Sequence, residues 1–227
     1  MLAKKYRSEV VSIVNPLEGI YTLEFCSLGH AYKYAPGQFL HIAIDDTYDG
    51  TSQWPESRCF SMQSHPGQET IRITYAVKGS FTRKMEKNLK VGSDVWLKLP
   101  YGELFTQEHN KEQTVFIAGG TGITPYLSLF THESFRDYLN PRIYLGFRSG
   151  DYHIYQQELS QSQNPSRQVT LFFENTDGII DIHRIFQENG TDASYFISGP
   201  PAMIKGFRQV LADYQVPVSH ILTDDWE

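Results

Sequence analysis

The chain has 227 residues, 40% of them hydrophobic and 20% charged, and a formal net charge of −6. That length accommodates one large domain or two small ones with separate cores, and the composition is that of an ordinary soluble globular protein. The acidic balance argues against nucleic acid as a partner, because phosphate binding needs clustered Lys and Arg.

No apolar run approaches the ~20 residues needed to span a bilayer, so no membrane span is expected. The opening MLAKKYRSEVVSIV has basic residues but neither an apolar core nor a small-residue cleavage site, so no signal peptide is expected and a cytoplasmic location is. Cys26 and Cys59 are far apart, which leaves no array for a Cys-ligated iron–sulfur cluster. His41, His65 and His183 share no metal-ligand spacing, so no metal site is expected.

In chain order, the first half is patterned for strands. Residues 10–14, 21–25, 39–44, 71–77 and 95–99 alternate or cluster β-branched and aromatic residues, and turn-rich pieces such as Tyr34-Ala35-Pro36-Gly37 separate them. Residues 58–61 read as a further short strand, and only residues 82–88 read as helix. This rhythm predicts a six-stranded antiparallel β-barrel with one helix.

A polar stretch at Glu108-His109-Asn110-Lys111-Glu112 interrupts the pattern, and the rhythm then changes. Residues 115–118 are an apolar run of the buried parallel type, leading into glycines and an apolar-periodic segment through Phe130. Residues 142–147, 169–173 and 195–197 repeat the strand signal, with helical segments at 155–159 and 201–214. Such βα alternation predicts a doubly wound parallel sheet covered by helices. The expected domains are therefore 1–108 and 109–227.

Three segments carry chemistry. Val115-Phe116-Ile117-Ala118-Gly119-Gly120-Thr121-Gly122-Ile123-Thr124-Pro125 reads as a strand, a glycine turn and a helix start. Glycines let backbone approach a phosphate, and a helix N-terminus offers free N–H groups. A plain strand-to-helix connection has the same pattern. Arg58-Cys59-Phe60-Ser61 offers a cation, a flat apolar ring and a hydroxyl, the groups a flavin recruits, although a half-buried strand looks similar. Tyr75-Ala76-Val77-Lys78-Gly79-Ser80-Phe81-Thr82 ends a strand and opens a helix, with Ser80 or Thr82 as the expected cap at a site that also suits an anion.

Together these segments resemble the ferredoxin–NADP reductase superfamily, in order and across nearly the whole chain. The resemblance rests on Pro36-Gly37-Gln38, Arg58-Cys59-Phe60-Ser61, Gly79-Ser80-Phe81-Thr82, Gly120-Thr121-Gly122-Ile123-Thr124-Pro125 and Ser198-Gly199-Pro200-Pro201-Ala202-Met203. It implies an NAD(P)H-dependent flavoprotein oxidoreductase with a flavin-binding barrel, an NAD(P)-binding α/β domain, bound FAD (or FMN in its place), and NADH or NADPH as hydride donor. The implied partner is a redox protein or small electron acceptor such as a ferredoxin, a flavodoxin or an oxygenase component. A flavin reductase using free flavin as substrate, and an electron-transfer subunit of a larger complex, share the pattern.

By the same resemblance, Phe60 stacks on the isoalloxazine, Ser61 hydrogen-bonds flavin N5 and Arg58 contacts the flavin phosphates, with Cys59 between them. The backbone of Tyr75, Ala76 and Val77 lines the ring, and Gly79, Ser80, Phe81 and Thr82 form the pyrophosphate turn. Gly120, Thr121, Gly122 and Ile123 hold the nicotinamide dinucleotide, and Arg148 its adenosine end. Ser198, Gly199 and Met203 lie against the nicotinamide, and Trp226 covers the second flavin face. Ser61 and Ser198 are the candidate catalytic residues. Three departures stand out: Phe60 replaces the usual Tyr, Ser198 the frequent Cys, and Glu174-Asn175 a Ser-Arg pair, which tilts the expected donor toward NADH.

Overall fold

The computed structural model describes residues 2–224. The chain divides into two compact units, Met1–Glu103 and Leu104–Glu227. The polar stretch at 108–112 lies inside the second unit, where it is tied down. Asn110 N–H donates to Ser194 Oγ at 2.9 Å, and Thr114 Oγ1 donates to Asn110 O at 2.6 Å.

In the first unit six antiparallel strands, β1 (Lys4–Leu17), β2 (Ile20–Ser27), β3 (Phe39–Ala43), β4 (Ser57–Ser61), β5 (Thr70–Ala76) and β6 (Asp94–Tyr101), form one barrel-like sheet in the order β4-β3-β6-β1-β2-β5. Its interior is lined by Val10, Leu23, Phe25, Leu40, Ile42, Ile71, Ile73, Leu97 and Leu99, each at most 1% exposed. Alternation along each strand sends these side chains inward.

β1 is much longer than the segment 10–14 that the alternation marked. Register shifts between Val10 and Ser12 and between Val14 and Leu17 break the period of two, so its ends do not read as strand. Its first half pairs with β6 (Lys4 opposite Leu99) and its second half with β2 (Leu17 opposite Ile20). The single helix among the described residues of this unit, α1 (Ser80–Asn88), begins two residues before the expected start and plugs the barrel with Phe81 and Met85.

The second unit is a five-stranded sheet, β7 (Thr114–Gly119), β8 (Arg142–Phe147), β9 (Gln168–Phe173), β10 (Ser194–Ser198) and β11 (Ile221–Thr223), in the order β11-β10-β7-β8-β9 with every pairing parallel. Successive residues of β7 and β10 face opposite sides, and both sides are buried. Phe116 and Phe196 pack under α2 (Thr124–Phe130) and α3 (Gln156–Ser160), whereas Val115, Ile117, Tyr195 and Ile197 pack under α5 (Ile182–Asn189) and α6 (Pro201–Asp213). This two-sided cover is why the strands read as unbroken apolar runs.

One strand and two α-helices described in this unit have no counterpart among the elements expected from the sequence: β11, the single turn α4 (Glu174–Asp177) and α5. Helix α5 carried readable signals, since Asp181 caps it by accepting from His183 N–H and Arg184 N–H, and Gly190 ends it at φ 73°. β11 has only three residues, too few for periodicity to register.

The second unit holds a half-buried titratable bridge. His109 Nδ1 lies 2.6 Å from Gln107 O and Nε2 lies 2.7 Å from Tyr138 OH. Burial, above all, holds its pKa below the ordinary histidine value. A folded pKa below the unfolded value of ~6.5 means the unfolded chain binds the proton more tightly, so the stabilisation is complete at high pH and is lost as pH falls through that value. The melting temperature is therefore expected to drop between pH 7.5 and pH 5.5, with a smaller drop in His109→Gln; an equal drop in both proteins would exclude His109 as the cause.

Candidate functional site

In the first unit, β4 and the turn into α1 face one another across a cleft of about 250 Å³ lined by Arg58, Cys59, Phe60, Gly79, Ser80, Phe81 and Thr82. Two segments about twenty residues apart in the chain are thus brought to one place. Alternation along β4 puts Arg58 and Phe60 on one side: the Arg58 guanidinium lies 5.3 Å from the centre of the Phe81 ring, and the Phe60 ring packs against Tyr75 at 5.7 Å. Arg58 Nη1 donates to Ser57 O at 2.8 Å, and Nη2 stands 3.6 Å from Glu56 Oε1.

On the other side of β4, Cys59 Sγ lies 3.5 Å from His41 Nε2, and burial pushes its thiol pKa up. Ser61 is half-buried, and its hydroxyl enters no hydrogen bond among the described residues. Ser61 and residues 75–77 are not among those lining the cleft. Tyr75 is buried against Tyr21, and Val77 N–H is committed to Gly19 O at 2.8 Å.

The expected cap at Ser80 or Thr82 takes a different form. Gly79 is the N-cap residue of α1, and Thr82, in the first turn, reaches back. Its Oγ1 accepts from Lys78 N–H at 2.9 Å and Gly79 N–H at 3.0 Å and donates to Gly79 O at 3.2 Å. One donor and two acceptors are all a hydroxyl has, so the Thr82 side chain shapes the turn with its whole capacity. The N–H groups of the first turn of α1 have no intrahelical acceptor.

In the second unit the glycine loop and the Ser198 segment meet. β7 ends at Gly119 and β10 at Ser198, and these two strands are neighbours although two others separate them in the chain. Strand order reverses between them, which makes this the switch point where open α/β sheets form a ligand crevice beyond their strand C-termini. After Gly119, a 3-10 turn (Gly120–Ile123) leads directly into α2.

The two loops touch through their backbones. A Cβ on Gly122 would sit 2.6 Å from Gly199 Cα, and one on Gly119 would sit 3.0 Å from Met203 Sδ. Gly199 itself has φ +148°. Ile123, by contrast, is fully buried beneath the loop, a core side chain. Thr124 Oγ1 donates to Thr121 O at 2.9 Å and Tyr126 OH to Ile117 O at 3.2 Å, which fastens the turn to β7.

Arg148 follows the C-terminus of β8, exposed, with its guanidinium 5.8 Å from the centre of the Tyr152 ring. Glu174, also exposed, follows β9. Across the C-terminal edge of the sheet the order is therefore Ser198, Gly119–Gly122, Arg148, Glu174. Trp226 lies outside the described residues. No group of three or more His, Cys, Asp or Glu suited to a metal occurs among the described residues, and no helix there is long and apolar enough to cross a membrane.

One contact at this edge leaves no trace in local sequence pattern. Ser198, 2% exposed, donates its hydroxyl hydrogen to Asp224 Oδ2 at 3.1 Å, and Asp224 is itself 8% exposed. Recognising it requires β11, the element too short to read from periodicity.

The family model described as an oxidoreductase NAD-binding domain matches residues 116–209. The reductase component of propane 2-monooxygenase from Rhodococcus jostii (strain RHA1) is 27% identical over 241 residues, covering 96% of this chain and 62% of the relative. Flavohemoprotein A of Dictyostelium discoideum is 24% identical over 216 residues, covering 83% of this chain and 51% of the relative. The chain thus spans less than two thirds of the length of these relatives. Among solved structures, a ferredoxin NADP+ reductase from Neisseria gonorrhoeae with bound FAD and NADP superimposes with a TM-score of 0.77 at 15% identity, covering 94% of this chain and 92% of that one. The chain thus pairs a six-stranded antiparallel barrel-like unit with a five-stranded parallel unit, the fold of that structure, and the match to the oxidoreductase NAD-binding domain falls in its second unit.

Proposed function

We propose that the chain takes a hydride from NADH or NADPH onto a bound flavin and passes the electrons to a separate acceptor. The observation that carries this reading is the gathering of motif residues into two sites. Arg58 and Phe60 share a cleft with Gly79–Thr82, and Gly119–Gly122 meet Ser198–Gly199 at the switch point.

The donor set of the cleft fits the phosphorylated end of a flavin: a guanidinium, the open first turn of α1 and the ring face of Phe60. A diphosphate makes fuller use of this set than a monophosphate does, which favours FAD over FMN. A bound flavin supplies the redox chemistry, accepting hydride and releasing electrons onward.

The chain's own residues bind and orient. Arg58 neutralises phosphate charge, Phe60 offers an apolar face, and the free Ser61 hydroxyl holds or moves the proton at flavin N5. Cys59 and residues 75–77 back this site as strand backbone. Gly120, Thr121 and Gly122 bring N–H groups up to the dinucleotide pyrophosphate, Arg148 reaches its adenosine end, and Ser198, Gly199 and Met203 border the nicotinamide. Glu174 at the adenosine side favours NADH, since a 2′-phosphate calls for a basic partner. The reductase component of the Rhodococcus monooxygenase system supports a protein acceptor of the oxygenase type.

An absorption spectrum of the purified protein tests the reading. Flavin bands that bleach under anaerobic NADH are expected. A colourless protein that reduces added flavin would make it a flavin reductase instead, and one that does neither would refute both.

Ser61→Ala is expected to slow flavin reduction in stopped flow by about 10²-fold, the scale of a lost proton-transfer group, with the flavin still bound. An unchanged rate removes Ser61 from the mechanism. Gly122→Ala forces its Cβ into the Gly199 backbone, so it is expected to abolish NADH-dependent reduction while dithionite still reduces the flavin. Retained NADH activity would show that this approach of the two loops is dispensable.

A further inference from the structure

A buried carboxyl group is costly to keep and is usually held by specific partners. Asp224 is held at both ends: its N–H donates to Ile197 O at 3.0 Å, continuing the β10–β11 pairing in which Ile197 lies opposite Thr223, and its Oδ2 accepts from Ser198 Oγ. The short strand β11, which flanks β10 on the side away from β7, thus delivers a carboxyl oxygen to the C-terminal end of β10.

A serine hydroxyl has one hydrogen to donate and two lone pairs. With the hydrogen spent on Asp224, Ser198 Oγ can act toward any ligand only as an acceptor. The order along the sheet edge says which ligand group that would be. With the pyrophosphate at Gly120–Gly122 and the adenosine toward Arg148 and Glu174, the opposite, nicotinamide end reaches toward β10. Its carboxamide carries an NH2 group, a donor that a fixed acceptor recognises.

We propose that Asp224 is a positioning residue that locks the Ser198 hydroxyl as an acceptor, and that Ser198 Oγ thereby selects the carboxamide NH2 of the nicotinamide. The pair determines specificity for the ring substituent and its orientation, and Asp224 acts on the ligand through Ser198. This rests on the dinucleotide reading given above and deepens it.

Binding of NAD+ and of its 3-acetylpyridine analogue, in which a methyl group replaces the carboxamide NH2, tests the assignment by calorimetric titration of the full chain. The unchanged protein is expected to prefer NAD+ by about tenfold, the scale of one hydrogen bond. Ser198→Ala and Asp224→Ala are expected to bind the two ligands alike, and Asp224→Asn, which keeps an acceptor oxygen, to retain the preference. Thermal melts establish that each variant is folded, and if Asp224→Ala is not, Ser198→Ala carries the test.

An unchanged preference in Ser198→Ala or in folded Asp224→Ala overturns the proposal. Equal binding of both ligands to the unchanged protein overturns it too, while leaving the dinucleotide site standing. Failure of that protein to bind either ligand overturns the site and this assignment with it.

Discussion

The second unit is organised around a place where two loops approach so closely that no side chain fits between them. Gly122 faces the Gly199 backbone at a distance that would put a Cβ 2.6 Å from Gly199 Cα, and Gly199 occupies a conformation open to glycine. The rest follows from holding those loops there. β7 and β10 must be adjacent, their flanks must be buried on both sides, and the 3-10 turn must be tied back through Thr124 and Tyr126. A topology that separated the two strands would leave the same motif residues with nothing to form.

The first unit reaches a comparable result by hydrogen bonding. Thr82 spends its hydroxyl entirely on the backbone at Lys78 and Gly79, fixing the entry into α1, whose first residues line the cleft together with Arg58. Sequence motifs name residue types, but the roles divide differently in space. At Thr82 the side chain builds the frame of the turn.

Much of this was legible in the chain itself. Apolar runs at β7 and β10 announce strands buried on both faces, and the glycines after residue 118 announce where backbone must be approached. Family resemblance then supplied roles that local pattern could not. What escaped has physical causes. The bulges of β1 hide its length, β11 is too short to carry a period, and the Asp224–Ser198 contact joins residues 26 positions apart through a strand pairing no local window contains. The commitment of Val77 N–H to Gly19 is likewise a property of the β2–β5 pairing, invisible in residues 75–77 alone.

The double pairing of β1 bears on how the protein is made. Its first residues find their partners in β6, Lys4 opposite Leu99, so the sheet stays open along that seam until about a hundred residues have left the ribosome. Contacts of such sequence separation carry a loop-closure penalty and slow folding. A nascent chain halted before β6 would display the hairpin of β1 and β2 with an unpaired edge, the kind of surface that chaperones engage and that aggregation exploits.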